Sequence, residues 1–301
     1  MAGMIGILGT SFSGSTVLNL MLGAHPEIYA GGELSALILS RGQESVAGCS
    51  ACGFSCPYWD ERARSSVTTA NLYREVTRIF RKNWLVDSSK SIDWFNVVLS
   101  SAEHRRVTPS YVLMVKHPIR YIASCVANMA THKPRRRSGG IFATLTASRA
   151  REAFLDELAE DLYLFYEQFF WCFGKSLGGA TFHLMHYERL IGDPPGALTP
   201  LLRSLGLSYV PEMGDFFRNE YHQIGGNAGP IYQLGHSWPK GADVAPVRKS
   251  FYEQGAALRI DNKYRELLSE REVARLLAHP VVRKLCERLG YDRADMPFPL
   301  S

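Results

Sequence analysis

The sequence contains no apolar run long enough to cross a membrane. About 18 or more continuous apolar residues are needed, whereas the apolar stretches at 4–8 and 17–22 are short and separated by a Ser/Gly turn. The N-terminus lacks a basic leader, and the polar residues 10–13 interrupt any signal-type apolar core, so a cytoplasmic location is expected. Cysteine is scarce: six in 301 residues do not make a disulfide scaffold. Repeats, low-complexity tracts and a strong charge of one sign are also missing. The 34 Lys and Arg against 29 Asp and Glu leave a net +5, scattered along the chain. That mild excess suits a small anionic ligand and argues against a nucleic-acid partner.

What is present has globular composition, 46% hydrophobic and 21% charged, with enough chain to bury a sizeable core. Short continuous apolar segments at 4–9 (MIGILG), 85–86, 111–116 (YVLMVK) and 181–186 (TFHLMH) read as parallel strands covered on both faces. Helical patterns lie between them at 16–22, 119–129, 152–173, 198–205 and 271–289. In the third, Leu155, Leu158, Leu162, Phe165 and Phe169 recur at helical spacing and read as core. The alternation predicts an α/β fold, a central parallel sheet flanked by helices in three layers. A single domain over 1–301 is expected, with residues 211–246, rich in Gly, Pro, His and Asn, as an irregular lid-like loop.

Between the first strand and first helix runs Gly9-Thr10-Ser11-Phe12-Ser13-Gly14-Ser15-Thr16. Glycines let successive main-chain N–H groups turn into one concavity, the helix N-terminus adds partial positive charge, and hydroxyls add donors. The spacing matches a P-loop, G-x-x-x-x-G-K-[ST], with Ser15 where the lysine belongs. An ATP-using enzyme needs that lysine between its β- and γ-phosphates, whereas a loop without it still holds a single phosphate. No G-x-S-x-G nucleophile elbow occurs here.

These residues resemble the sulfotransferases that use 3′-phosphoadenosine-5′-phosphosulfate (PAPS). The loop Phe12-Ser13-Gly14-Ser15-Thr16 is similar to the family's 5′-phosphosulfate loop. Leu22-Gly23-Ala24-His25-Pro26-Glu27, then Gly31-Gly32-Glu33, resembles the "L-x-x-H-P … G-E" run of the carbohydrate and tyrosylprotein branches. Lys116, Pro118 and Ser124 match the spacing of the 3′-phosphate motif. Tyr187-Glu188-Arg189-Leu190, with Asp193-Pro194 and Leu205-Gly206-Leu207, and the late loop His222-Gln223-Ile224-Gly225-Gly226-Asn227 continue the match in family order to about residue 290.

The resemblance implies a PAPS-dependent sulfotransferase that releases PAP, needs no metal, and acts on a small-molecule, carbohydrate or peptide acceptor through a hydroxyl or amine. It implies nucleotide binding by Ser11, Phe12, Ser13, Gly14, Ser15, Thr16, Lys116, Arg120, Ser124, Tyr187, Gly225, Gly226 and Asn227. Lys116 and Arg120 bring charge for a 3′-phosphate, and Ser124, four residues beyond Arg120 on one helix face, brings a hydroxyl. Glu33 is the expected general base. Phe12 departs from the family, which carries Lys or Arg there; Lys90, with Ser88 and Ser89 as hydrogen-bond donors, is the first candidate to replace it in stabilising the transferring group, and His25, His117 and Lys116 are the alternatives. The acceptor pocket is expected from residues about 33–60, 125–150 and 220–245.

Two rivals stay open: a P-loop nucleotide kinase, which Mg-dependent ATP turnover would reveal, and a non-catalytic PAP or PAPS binder. The sequence is compatible with a homodimer and does not name the acceptor. Cys49, Cys52 and Cys56 resemble a Cys-bearing insertion of some bacterial members; with no fourth ligand in view, they read as reduced thiols, and no metal site is assigned. The basic stretch 133–137 reads as a solvated loop.

Overall fold

The computed structural model describes residues 3–40, 48–101, 107, 109–129, 147–171, 179–236 and 246–291. The basic stretch 133–137 and parts of the expected acceptor pocket lie outside them. In chain order the elements are β1 (Gly3–Gly9), α1 (Ser15–Gly23), β2 (Ile28–Ala30), α2 (Ala36–Leu39), α3 (Glu61–Ser66), α4 (Leu72–Phe80), β3 (Trp84–Lys90), α5 (Ile92–Leu99) and β4 (Pro109–Val115). There follow α6 (Pro118–Met129), α7 (Ala147–Phe170), β5 (Thr181–His186), α8 (Tyr187–Gly192), α9 (Pro194–Ser204), α10 (Ala228–Gln233), α11 (Pro246–Glu253), α12 (Tyr264–Leu267), α13 (Glu270–Ala278) and α14 (Pro280–Leu289). They fall into two compact units, one from the described residues within 1–115, 172–239 and 255–259, the other from those within 116–171, 240–254 and 260–301.

The first unit is built on a five-stranded parallel sheet, ordered β2-β3-β1-β4-β5 and flanked by helices, the α/β architecture expected. β1 is central, and every residue of it is buried, which is why it reads as one apolar run. β5, at an edge, is only partly covered. On α1, Leu18, Leu20, Met21 and Leu22 are wholly inaccessible, each contributing about 1.5–3 kcal/mol of burial. β3 lies on one side of β1 and β4 on the other. The chain therefore reverses its progress across the sheet at β1, and the loop after β1 opens at the carboxyl edge where such sheets bind ligands.

In the second unit, α7 buries Leu155, Ala159, Leu162, Tyr166 and Phe169 along one face. The expected Leu158 and Phe165 are only half-buried, their places in the stripe taken by Ala159 and Tyr166. Residues 271–289 do not form the one helix their pattern suggests. Pro280 lacks an N–H and clashes with a preceding turn, so α13 ends at Ala278 and Pro280 opens α14. β2 escapes a periodicity reading because it is three residues long. Among the described residues, no helix is long and apolar enough to cross a membrane.

Candidate active site

In the first unit the site begins at the turn from β1 into α1. Gly9, Phe12 and Gly14 adopt positive φ (144°, 67° and 99°), which curls the main chain between strand and helix. A phenylalanine in the left-handed region costs of order 1 kcal/mol or more and persists only where its surroundings enforce it. Ser13 is fully buried, and its hydroxyl donates to the Thr10 carbonyl at 2.8 Å. Ser15 and Thr16 are buried; Ser11 is exposed.

Other helices of this chain satisfy their first amides with side chains: Asp60 caps α3, Ser91 α5, Asp193 α9 and Ser269 α13. Gly14 opens α1 with no side-chain cap and no acidic residue in the first turn, so its leading N–H groups and dipole are available to an anion. The hydroxyl oxygen of Thr10, buried in the same turn, has no hydrogen-bond partner among the described residues.

Tyr187, at the start of α8, lies directly over this turn. A Cβ on Gly14 would come within 2.5 Å of its ring. Gly14→Ala meets that ring and the unfavourable φ together. We expect it to lower stability by about 2 kcal/mol or more, read as a reduced denaturation midpoint with unchanged m-value.

Glu33 and Lys90 form an ion pair, Nζ of Lys90 donating to Oε1 of Glu33. Lys90 ends β3 with φ of 66°, a left-handed conformation that turns the chain at the strand end. Glu33 is held by its main chain: its N–H donates to the Ile224 carbonyl at 2.6 Å. Ser88 is buried and its N–H donates to the Gly32 carbonyl at 2.7 Å. The Ser89 hydroxyl donates to Oδ1 of Asp87 and accepts the Ser35 N–H at 3.0 Å. Asp87 is fully buried and accepts further from the Trp94 indole at 2.9 Å and the Tyr73 hydroxyl at 3.3 Å. Burial raises the Asp87 pKa against the pull of these donors.

The late loop completes this cluster. The Asn227 N–H donates to the Thr16 hydroxyl at 3.0 Å, and the Asn227 side chain caps α10 through the Gly229 N–H. Gly226 lies against Thr16 and the Gln223 amide, and Gly225 against the Glu33 side chain. Two buried residues tie it together, Asn19 outside the motifs and Gln223 within the late-loop motif. Asn19 donates to Gln223 Oε1 at 2.5 Å and accepts the Gly32 N–H at 3.2 Å, while Gln223 donates to the Gly225 carbonyl at 3.3 Å. The anion loop, the Glu33–Lys90 pair and residues 223–227 are thus one bonded assembly.

The second unit carries a basic cluster at its start. Lys116, the residue following β4, is 3% exposed. Its Nζ donates to the Ser124 hydroxyl at 3.2 Å and pairs with Asp261 Oδ2 at 3.1 Å. The Ser124 hydroxyl donates in turn to the Arg120 carbonyl at 2.9 Å. Arg120 donates to the Asp261 carbonyl and to Asn262 Oδ1, each at 2.5 Å. Lys263 closes the cluster on Asp261 at 2.6 Å.

Three cations against one carboxylate leave a positive excess suited to an anion. Burial alone would raise the Asp261 pKa, but Lys116 and Lys263 override it and hold the carboxyl well below its usual range. Burial lowers Lys263 to about 8. Lys116, Arg120 and Ser124 meet as the motif spacing suggests. Asp261 and Lys263, about 140 residues further along the chain, carry no such signal in the sequence.

A parallel sheet whose central strand turns through a glycine loop into an uncapped helix is a P-loop-like α/β protein. The model of the sulfotransferase family matches residues 5–211, and the chain belongs to that family: it is a sulfotransferase. Among solved structures it is similar to the sulfotransferase domain of the Synechococcus PCC 7002 olefin synthase, at 16% identity and TM-score 0.56, over 96% of this chain and 95% of that one. It is also similar to the sulfotransferase domain of the curacin biosynthetic pathway, at 15% identity and TM-score 0.52, over 97% and 99%. Both likenesses are of fold. No curated protein matches the chain in sequence.

Proposed function

We propose that this sulfotransferase uses PAPS as donor and transfers its sulfuryl group to a hydroxyl or amine of an acceptor, with Glu33 as general base. The observation that carries the reading is the Glu33–Lys90 pair, tied through residues 223–227 to the anion loop. In this scheme the 5′ end of the nucleotide lies on the amides of residues 13–16, and the 3′-phosphate on Lys116, Arg120 and Ser124. The acceptor oxygen or nitrogen attacks sulfur in line and gives its proton to Glu33. The sulfur–oxygen bond to the phosphate breaks, and the electron pair leaves on PAP. Lys90 supplies the positive charge that Phe12 does not, compensating charge that builds on the leaving oxygen.

Ser15 in place of the P-loop lysine speaks against ATP as the donor. A chain that merely binds PAP has no need of an acid–base pair beside the loop. The enzyme is proposed to work in the cytoplasm and without a catalytic metal. The test is calorimetry with PAP, followed by labelled PAPS with a panel of sugar, phenol, amine and peptide acceptors. Saturable PAP heat and label transfer to any acceptor support the reading; a protein that binds no PAP in any ordinary buffer overturns it.

A further inference from the structure

Outside the anion loop and the basic cluster, four metal-ligating side chains converge in the first unit. Cys49, Cys52, Cys56 and His222 bring three sulfurs and one imidazole nitrogen within 4.8 Å of one another. The distances from His222 Nδ1 are 3.9 Å to Cys49 Sγ, 3.4 Å to Cys52 Sγ and 3.5 Å to Cys56 Sγ. Zinc bonds of about 2.3 Å to sulfur and about 2.1 Å to nitrogen in a tetrahedron have edges of about 3.6 Å between sulfur and nitrogen. The observed spacings bracket that value. From these residues we propose a structural zinc site of Cys3His type.

The local backbone is arranged for it. Cys49 and Gly53 exchange both main-chain hydrogen bonds, at 3.1 and 2.8 Å, so the C-x-x-C segment is a tight hairpin. Gly53 turns it with φ of 62°. The second imidazole nitrogen of His222 faces Glu220 Oε1 at 3.1 Å. A carboxylate on the far side of a ligating imidazole fixes its tautomer and ring orientation. The His222 carbonyl accepts from the Tyr29 hydroxyl and the Trp59 indole, each at 2.6 Å, so its main chain is fixed as well.

The ligand set is closed: four protein donors leave no position for water or substrate, so the metal is structural and not catalytic. Three soft sulfurs and one imidazole in a tetrahedron select zinc over the hard divalent cations. A disulfide would engage two of the thiols and leave both the third and the oriented imidazole without a purpose. The position explains the role. His222 is followed at once by Gln223, Ile224 and Gly225, which bond to Asn19, Glu33 and Ser50. The metal therefore pins segment 49–56 to the root of the loop that holds Glu33 and Thr16. This inference stands whatever the donor of the sulfuryl group is.

The test uses the full chain purified without added metal or chelator. Elemental analysis is expected to find about one zinc per chain. Exchange for cobalt(II) should give the intense visible bands of a tetrahedral thiolate site. Cys52→Ser and His222→Ala should lower the metal content, and His222→Cys should restore it with a cobalt spectrum shifted by the fourth sulfur. Stripping zinc with a chelator and a thiol reagent should lower the melting temperature. The site is ruled out if the parent chain carries no more zinc than a Cys49→Ser/Cys52→Ser double variant and takes up cobalt without those bands. A disulfide between any two of the three cysteines in the freshly isolated protein rules it out equally. Both arms read metal and thiol state on the parent chain and so distinguish failure here from failure of the PAPS assignment.

Discussion

Glu33→Gln is expected to slow sulfuryl transfer by about a hundredfold or more, the scale of a lost general base, while PAP still binds with near-parental affinity. The substitution is clean because the main chain holds this residue. The Glu33 N–H is bonded to the Ile224 carbonyl, and a glutamine keeps that bond. It also keeps an oxygen that can accept from Lys90, so a role limited to positioning the lysine would survive the change. Proton acceptance is removed, together with the negative charge that pairs with Lys90. Lys90→Met supplies the comparison: it should reduce turnover through the leaving group and leave the carboxylate in place. Single-turnover transfer from labelled PAPS, with calorimetry for PAP, separates chemistry from binding. Full turnover in Glu33→Gln would remove Glu33 from the mechanism, and a matching loss of PAP affinity would recast it as a binding residue.

Lys116→Ala should weaken PAP by about ten- to a hundredfold while sparing adenosine 5′-phosphate, which lacks the 3′ group. Charge-assisted hydrogen bonds are worth about 1.5–3 kcal/mol, and each 1.4 kcal/mol is about tenfold in affinity. The variant should remain folded, since Asp261 keeps its second lysine, Lys263, at 2.6 Å. Equal losses for the two nucleotides would count against a 3′-phosphate role. The same change has a signature in acid. A carboxyl whose folded pKa is depressed contributes stability above its unfolded pKa and loses it as pH falls through the folded value. Asp261 is such a group, and removing Lys116 removes part of what depresses it. Acid unfolding of Lys116→Ala should therefore begin at a higher pH than in the parent chain, measured by circular dichroism across a pH series.

The anion loop was legible in the sequence because it is local. A buried strand, a glycine turn and an apolar helix within about twenty residues specify their own geometry through main-chain sterics and the open amides of one helix end. Lys116, Arg120 and Ser124 were legible for the same reason, lying within one strand end and the first turns of the helix that follows it. Pro280, plainly visible, should have divided the predicted helix 271–289, because its ring denies the hydrogen bond that a continuous helix needs there.

Other features left no local trace. The carboxylate of Asp87 that gathers Tyr73, Ser89 and Trp94 looks in sequence like any polar residue at a strand end. Asn19 and Gln223 are buried partners 204 residues apart. Asp261, 145 residues after Lys116, is an unremarked acid until the fold sets it between two lysines. His222 is the fourth donor that the three cysteines lacked, and it lies 166 residues beyond the last of them.

By itself, then, the sequence determined the sheet's central strand and the loop that follows it, which rest on contacts within one strand–turn–helix unit, and the family, which rests on short local motifs met in order along the chain. The tertiary structure alone decided which distant side chains share a carboxylate, an amide bond or four converging metal ligands. Such pairings depend on how the chain crosses the sheet and returns, and no spacing along the sequence encodes them.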